Sequence, residues 1–309
     1  MKIVVIGQQD FGKTALEAFL ARGDEVAGVF CAPEKPGAKP DPLRAAAQQR
    51  GLALFQLPSL RGQAALDAIA GLGADIGIMA YVLQFVPQEF VRIPRHGTIQ
   101  YHPSLLPRYR GPSSINWPII RGDTETGLSI FRPTDGLDEG PVLLQKRVPI
   151  GPDDTLGSIY FDHLFPKGVA ALLEAADRVL DGTAQEAVQD ETHASYEGWC
   201  RAAEAHVNWH NHIDHAYNLI RGCNPAPGAW TTCAGRRLQV FDARKHPART
   251  FGDVRGKIGE IVAIGAQSMH VCAQGGQIEI FKVKPDDGQK VGAGQFCTDA
   301  GLAVGSLLG

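Results

Sequence analysis

Apolar and polar positions change their period near residue 180. Before it, Lys2 to Gly7 is a short β-branched run, Thr14 to Arg22 is amphipathic with helical spacing, and Glu25 to Cys31 is apolar again. This predicts a β-α-β unit with a parallel sheet. Pro42-Leu43-Arg44-Ala45-Ala46-Ala47 opens a further helix with Asp41 as its cap, and Ala74 to Tyr81 reads as a buried central strand. The predicted fold class is α/β, a doubly wound, mostly parallel sheet over residues 1–188. After about Asp181 the pattern loosens into polar segments, Thr183-Ala184-Gln185-Glu186, Asp190-Glu191-Thr192 and Tyr196-Glu197-Gly198, and a linker is expected over 189–203. From 204 to 309 a helix over His212 to Arg221 precedes short β-type runs at Leu238–Phe241, Gly259–Val262, Met269–Val271 and Gln277–Ile280. Strands of that length with turn signals between them suit a small open barrel.

Candidate chemistry concentrates at the end of one strand. In Thr98-Ile99-Gln100-Tyr101-His102, Gln100 and His102 lie two apart and so project from one face. Pro103, Pro107 and Gly111 then break regular structure and hold Ser104, Arg108 and Arg110 on a stiff loop. About thirty residues later Asp138 sits between Gly136 and Gly140, in a turn where a carboxylate can point at an imidazole. In open α/β sheets ligands bind beyond the carboxyl ends of strands, which places Tyr81-Val82-Leu83-Gln84 near His102. Taken one at a time, these segments also suit a capped strand, a core amide and an ordinary turn.

His102-Pro103-Ser104-Leu105-Leu106-Pro107-Arg108-Tyr109-Arg110-Gly111 together with Gly136-Leu137-Asp138-Glu139-Gly140 resembles the marks of the formyltransferase family that uses 10-formyltetrahydrofolate. Thr126-Gly127-Leu128-Ser129-Ile130, Leu219-Ile220-Arg221 and Pro225-Ala226-Pro227-Gly228-Ala229-Trp230 extend the resemblance over most of the 309 residues. It implies a Rossmann-like catalytic domain, an OB-like carboxy-terminal domain and 10-formyltetrahydrofolate as formyl donor. It also implies a folate site among Met79, Ala80, Tyr81, Val82, Leu83, Ser104, Arg108, Asp135 and Gly136, with His102, Asp138 and Gln100 as catalytic residues.

The formyl group on a folate nitrogen is an amide-like electrophile, and attack on it creates an oxyanion that needs donors. Protonated His102, paired with Asp138, can supply one donor and the Gln100 carboxamide another, while Asp138 can take the nucleophile's proton. Two departures bear on the acceptor. Members that formylate initiator tRNA or sugar amines carry Asn where this chain has Gln100, and the tRNA enzymes have a longer basic loop where this chain has Ala32 to Pro42 with two lysines. The chain is more similar to the hydrolase domain of 10-formyltetrahydrofolate dehydrogenases. That branch shares Ile6-Gly7-Gln8, Pro94-Arg95-His96-Gly97, Tyr101 to Arg108 and Tyr196-Glu197-Gly198. Hydrolysis of the folate, or transfer of its formyl group to a small amine, is therefore expected. An initiator-tRNA formyltransferase and a folate-binding module with little turnover are the alternatives. The carrier and aldehyde dehydrogenase domains of the full-length dehydrogenases are not expected in a chain ending at Gly309.

Composition narrows the partners. With 44% hydrophobic and 20% charged residues, the chain can bury the cores of about two domains. The amino terminus runs straight into strand pattern without an export signal, and no window approaches a membrane span, so a cytoplasmic location is expected. Residues 204–309 carry 11 Lys+Arg against 9 Asp+Glu, a net of +2, and the remainder 19 against 24, a net of −5. Neither is a clustered basic face for RNA, so tRNA is not favoured as a partner; Arg236-Arg237 and Arg244-Lys245 form at most a small patch. Gly7-Gln8-Gln9-Asp10-Phe11-Gly12 lacks the middle glycine of a dinucleotide fingerprint. No metal is expected: His206, His210, His212 and His215 form the one suggestive cluster, and it has neither a His-Glu-x-x-His nor a cysteine pair beside it. The six cysteines are scattered and expected to be reduced.

Overall fold

The computed structural model describes residues 1–248, 250 and 256–309. The chain divides into two units. The first holds Met1–Arg110, Gly127–Val148 and His163–Tyr196, and the second holds Gly111–Thr126, Pro149–Asp162 and Glu197–Gly309.

The first unit is organised by β1 (Lys2–Gly7), α1 (Gln9–Ala21), β2 (Glu25–Phe30), α2 (Pro42–Gln49), β3 (Leu54–Phe55), α3 (Gln63–Leu72), β4 (Ile76–Ala80), α4 (Gln88–Val91) and β5 (Thr98–His102). After α5 (Asn116–Arg121), which belongs to the second unit, come β6 (Glu125–Phe131) and β7 (Val142–Pro149), and after the second unit's single turn α6 (Leu156–Ser158) comes α7 (Phe165–Leu180). The seven-stranded sheet runs β3-β2-β1-β4-β5-β6-β7. Strands β1 to β5 pair in parallel and β6 pairs antiparallel to β5. Strand order reverses between β1 and β4, where crevices for ligands open in such sheets. The two strand ends are in contact there: a Cβ on Gly7 would lie 1.9 Å from the Ala80 carbonyl oxygen. Only glycine allows that approach.

Both sheet faces are buried, which explains why β1 and β4 read as continuous apolar runs rather than alternating ones. On one face Phe11 of α1 stacks on Tyr101 at 4.3 Å between ring centroids and meets Phe165 edge-on at 5.3 Å. On the other, Val4, Ile6, Phe30 and Met79 pack with Leu60, Ile69, Val86 and Phe90. Register puts Gln100 opposite Met79 in this sheet. Gln100 and, two residues on, His102 therefore belong to the second face.

The second unit carries α8 (Ile213–Gly222), β8 (Ala229–Cys233), β9 (Arg236–Val240), β10 (Ala243–Pro247), β11 (Ile261–Ile264), β12 (Met269–Ala273), β13 (Gly276–Ile280), β14 (Lys282–Pro285), β15 (Val291–Gly292) and α9 (Ala293–Asp299). The strands form two four-stranded sheets, β10-β13-β12-β11 and β15-β14-β9-β8. Pairings within both are antiparallel. They share one core that includes Trp209, Ile213, Tyr217, Leu238, Val240, Met269, Val271, Ile278 and Ile280. The chain's end lies along the outer strands of both sheets, with Leu308 bridging Cys233 and Leu307 bridging Glu260. The strand expected at Gly259 begins at Ile261 instead, because Gly259 has φ +80° and a Cβ there would meet the Leu308 carbonyl oxygen. All six cysteines are buried and unbridged.

Candidate active site

His102 ends β5 with 5% exposure. Its Nε2 lies 2.9 Å from the Tyr109 carbonyl oxygen and its Nδ1 lies 3.5 Å from Asp138 Oδ2. A carbonyl only accepts, so Nε2 carries a proton and donates it. In the neutral ring Nδ1 then presents a lone pair toward the carboxylate. Tyr109 and Asp138 both hold left-handed backbone angles, φ 58° and 55°, as does Tyr81 at the end of β4 with φ 60°. Such conformations are costly for residues with a Cβ and persist where the surroundings enforce them. Three of them on residues that border one strand end mark this region as built to a tolerance.

The loop after His102 is held from inside. Ser129, fully buried on β6, donates from Oγ to the Ser104 carbonyl at 2.7 Å and accepts from the Leu106 backbone N–H at 3.1 Å. Gln145 donates to the Leu106 carbonyl and to Ser129 Oγ, at 2.8 and 2.9 Å. Ser104 is itself fully buried, and its hydroxyl donates to the Arg108 carbonyl at 2.7 Å. Its hydroxyl therefore shapes the loop instead of facing a ligand. Arg108 is exposed and stacks over the Tyr109 ring at 5.2 Å. Arg110, expected to be presented outward, is completely buried.

Arg110 points toward the polar stretch expected as a linker. Its Nε and Nη2 donate to Gln189 Oε1 at 3.1 and 2.8 Å, and its Nη1 and Nη2 form a two-pronged pair with Glu191 at 2.9 and 2.6 Å. Nη1 also reaches the Tyr196 hydroxyl, which donates to Glu139 Oε1 at 2.6 Å. The Arg110 hydrogen bonds hold the Glu191 carboxyl below its usual range, and Glu191 in turn holds the guanidinium further up. The hydrogen bond to Glu139 raises the Tyr196 phenol. Because the Glu191 carboxyl is depressed on folding, its stabilising contribution is complete above the ordinary range, about 4.3, and is lost as pH falls. Ser195 adds backbone ties, accepting from the Tyr109 N–H at 2.8 Å through Oγ and from the Arg110 N–H at 2.8 Å through its carbonyl. Residues 189–196 of the polar stretch are thus anchored beside the site.

The remaining predicted residues fall around it unevenly. Met79 and Ala80 are 3% and 0% exposed, and the Ala80 carbonyl already accepts from the Gln8 N–H at 3.3 Å, so these two form wall rather than contact surface. Tyr81, Leu83 and Leu137 expose 43%, 56% and 53% of their surface. Val82 is half-buried. Asp135 is exposed and accepts from the Gln88 N–H at 3.2 Å. Gly136 and Gly140 close the turn tightly: a Cβ on Gly140 would lie 1.6 Å from the Arg132 carbonyl oxygen. Gln100 is half-buried on the strand face that carries His102.

The histidine cluster does not converge. His206 packs on the Trp230 ring at 4.4 Å, and His212 caps α8, accepting from the Asp214 N–H at 3.3 Å. Among the described residues no helix is long and apolar enough to cross a membrane.

A doubly wound sheet with an imidazole and a carboxylate facing each other at a strand end, followed by a unit of antiparallel sheets, defines the class: an α/β enzyme with a β-rich carboxy-terminal unit. The chain belongs to the formyl transferase family, whose model matches residues 1–175, and the model of the formyl transferase C-terminal domain matches 200–301. Over 248 residues it is 43% identical to the cytosolic 10-formyltetrahydrofolate dehydrogenase of Mus musculus, covering 79% of this chain and 27% of that protein. The chain thus spans about a quarter to a third of the length of the dehydrogenases it matches. With the methionyl-tRNA formyltransferase of Geobacter metallireducens it shares 31% identity across 100% of this chain and 99% of the relative. HypX from Aquifex aeolicus in complex with tetrahydrofolic acid has the same fold, with a TM-score of 0.66 at 17% identity over 97% of this chain and 47% of that one. The sugar 3N-formyl transferase WlaRD gives 0.68 at 16% identity over 94% and 99%.

Proposed function

We propose that this chain acts on 10-formyltetrahydrofolate, hydrolysing it or transferring its formyl group to a small amine, with His102, Asp138 and Gln100 as the reacting set. The observation that carries the reading is the seat of His102: one nitrogen committed to the Tyr109 carbonyl, the other facing Asp138 across 3.5 Å. A water or primary amine seated beside both Nδ1 and the carboxylate can donate a hydrogen to each. On attack the new bond forms at the formyl carbon, and the nucleophile's proton passes to Nδ1, with the Asp138 carboxylate beside it stabilising the imidazolium that results. Imidazolium Nδ1–H and the Gln100 carboxamide then serve as donors to the oxyanion, as such donors do in other acyl transfers. Collapse breaks the bond from carbon to N10, which takes the proton, leaving tetrahydrofolate and either formate or a formamide. Tyr81, Val82, Leu83, Arg108, Asp135 and Gly136 line the folate crevice in this reading, with Met79, Ala80 and Ser104 as its walls.

The division into a catalytic domain over 1–188, a joining stretch over 189–203 and a barrel over 204–309, and a cytoplasmic location, belong to the same proposal. The test is release of tetrahydrofolate from 10-formyltetrahydrofolate by the purified protein, without an acceptor, beside a His102→Ala variant. Turnover that the variant lacks supports hydrolysis. Equal turnover by both overturns the site. Tight binding of the folate without turnover, with or without added amines, would make the chain a binding module.

Methionyl-tRNA formylation is the second reading, favoured by the end-to-end match to the Geobacter metallireducens enzyme. Against it, three basic side chains of the second unit are engaged locally: Lys245 with Asp214 at 2.5 Å, Arg237 over Trp230 at 4.8 Å, and Lys282 with Asp242 at 2.9 Å. A steep loss of tRNA affinity between low and moderate salt would support this reading, since phosphate contacts release counterions.

A further inference from the structure

Asp138 works only if its carboxylate stays opposite Nδ1, yet it sits at φ 55° in a turn whose neighbouring side chains, Asp135, Leu137 and Glu139, are exposed. Two backbone carbonyls of that turn, those of Asp138 and Gly140, accept from a single donor, Gln189 Nε2, at 2.8 and 2.7 Å. Gln189 is 7% exposed. The orientation of its amide is fixed by chemistry: the Arg110 guanidinium has donors only, so the oxygen must face Arg110 and the nitrogen must face the turn. Arg110, fully buried, is in turn locked by Glu191 and Tyr196. Its neighbour Tyr109 contributes the carbonyl that holds His102. One dipeptide, Tyr109-Arg110, therefore fixes the imidazole through its backbone and the carboxylate's turn through its side chain and Gln189.

We propose that Gln189, aimed by Arg110, is the positioning residue that sets the separation of His102 and Asp138, so that the reaction depends on an amide that touches neither substrate nor the reacting atoms. This inference rests on the reading of His102 and Asp138 as the reacting pair. It predicts a particular asymmetry. A Gln189→Glu substitution keeps the acceptor that pairs with Arg110 but puts a second acceptor against two carbonyls, pushing the turn away with little change in volume. Displacing a reacting group by about 1 Å costs on the order of 100-fold in rate. Folate binding at Tyr81, Val82 and Leu83 is not touched.

The experiment compares the wild-type protein, Gln189→Glu, Glu191→Gln and His102→Ala. For each it measures kcat with 10-formyltetrahydrofolate across pH, affinity for the unreactive 5-formyltetrahydrofolate, and thermal midpoint. The expected result for Gln189→Glu is kcat lower by about 10- to 100-fold at neutral pH with folate affinity held within about twofold. Its activity should recover in part on acidification, because the introduced carboxyl, once protonated, regains one donor toward the turn; the wild-type protein shows no such recovery. Glu191→Gln keeps one acceptor for Arg110, whose guanidinium is still held by the Gln189 oxygen and the Tyr196 hydroxyl, so kcat should stay within a few-fold of wild type. A Gln189→Glu rate equal to wild type overturns the inference, as does a loss in which affinity, thermal midpoint and kcat fall together without acid recovery. If His102→Ala turns over normally, the reacting pair itself is wrong and the inference falls with it. A dead His102→Ala beside an unimpaired Gln189→Glu removes the positioning role alone.

Discussion

At the scale of single residues, the site is defined by groups whose alternatives are sterically or electrically closed. His102→Ala removes the Nδ1 that faces Asp138 and also leaves the Tyr109 carbonyl without its partner. A loss of about 2.7 to 4 kcal/mol of transition-state stabilisation, on the order of 100- to 1,000-fold in kcat, is expected, and steady-state turnover measures it. Gln100→Asn shortens the carboxamide by one methylene at the position opposite Met79. Faster formyl transfer to an added amine would identify a relaxed transferase, whereas an unchanged rate counts against an oxyanion role for this side chain. Gly140→Ala places a methyl 1.6 Å from the Arg132 carbonyl oxygen, so the turn must open. Turnover should fall at least tenfold even if the protein folds, and a circular dichroism melt alongside the assay separates the two effects.

Individual elements show how far local signals reach. Asp41 was identifiable as the cap of α2 from sequence, and it accepts from the Leu43 and Arg44 N–H groups at 2.9 and 3.4 Å. Its other oxygen does something no local rule announces: Oδ2 accepts from the Gln9 N–H at 2.8 Å, tying α2 to the first residue of α1. Asp41→Ala should cost about 0.5–2 kcal/mol for the cap, with a value at or above the upper end because two helices lose a partner; urea denaturation reads it. Glu34 closes the same corner, accepting from the Asp41 N–H at 2.9 Å and from Arg44 at 2.6 Å. The Asp41 N–H first, and then Arg44, bring its carboxyl down to about 2. A carboxyl depressed on folding stabilises fully above its unfolded value near 4.5 and loses that contribution as pH falls through about 2. Glu34→Gln should therefore flatten the acid limb of the stability profile between those values and shift neutral-pH stability far less than a core substitution.

For the molecule as a whole, the second unit depends on its own final residues. Leu308 is 4% exposed and donates its N–H to the Gly259 carbonyl at 2.9 Å, while the Gly309 N–H donates to the Thr232 carbonyl at 3.0 Å. Leu308→Ala should destabilise this unit by about 2–5 kcal/mol, the range for a buried leucine, and should leave the packing of the parallel sheet unchanged. Hydrogen exchange resolved along the chain would detect the loss in β8 and β11 before β1 and β4. In the two four-stranded sheets the sequence marked β9, β11, β12 and β13 and missed β8, β10, β14 and β15. Strands β8 and β13 alternate clearly, whereas β10 and β12 do not, and β14 pairs with β9 and β13 with β10, partners that no short-range pattern specifies.

The sequence by itself determined the alternation of strands and helices, the cap of α2, the placement of Gln100 and His102 on one strand face, and the glycine-bounded turn of Asp138. These rest on interactions between residues close in the chain: the two-residue period of a strand, the orphan N–H groups of a helix start, the steric freedom of glycine. It also held both family motifs, because their residue types are unusual in combination. Tertiary structure alone decided that His102 is seated on a backbone carbonyl, that Arg110 turns inward, and that Gln189 and Glu191, in a stretch whose polarity suggested a linker, brace the turn opposite. A carbonyl acceptor leaves no mark in a sequence, and a polar residue reads as solvated until a buried cation about 80 positions away claims it. The pairing of distant polar groups is chosen by the cost of burying Arg110 unpaired, and that cost exists only once the fold has closed around it.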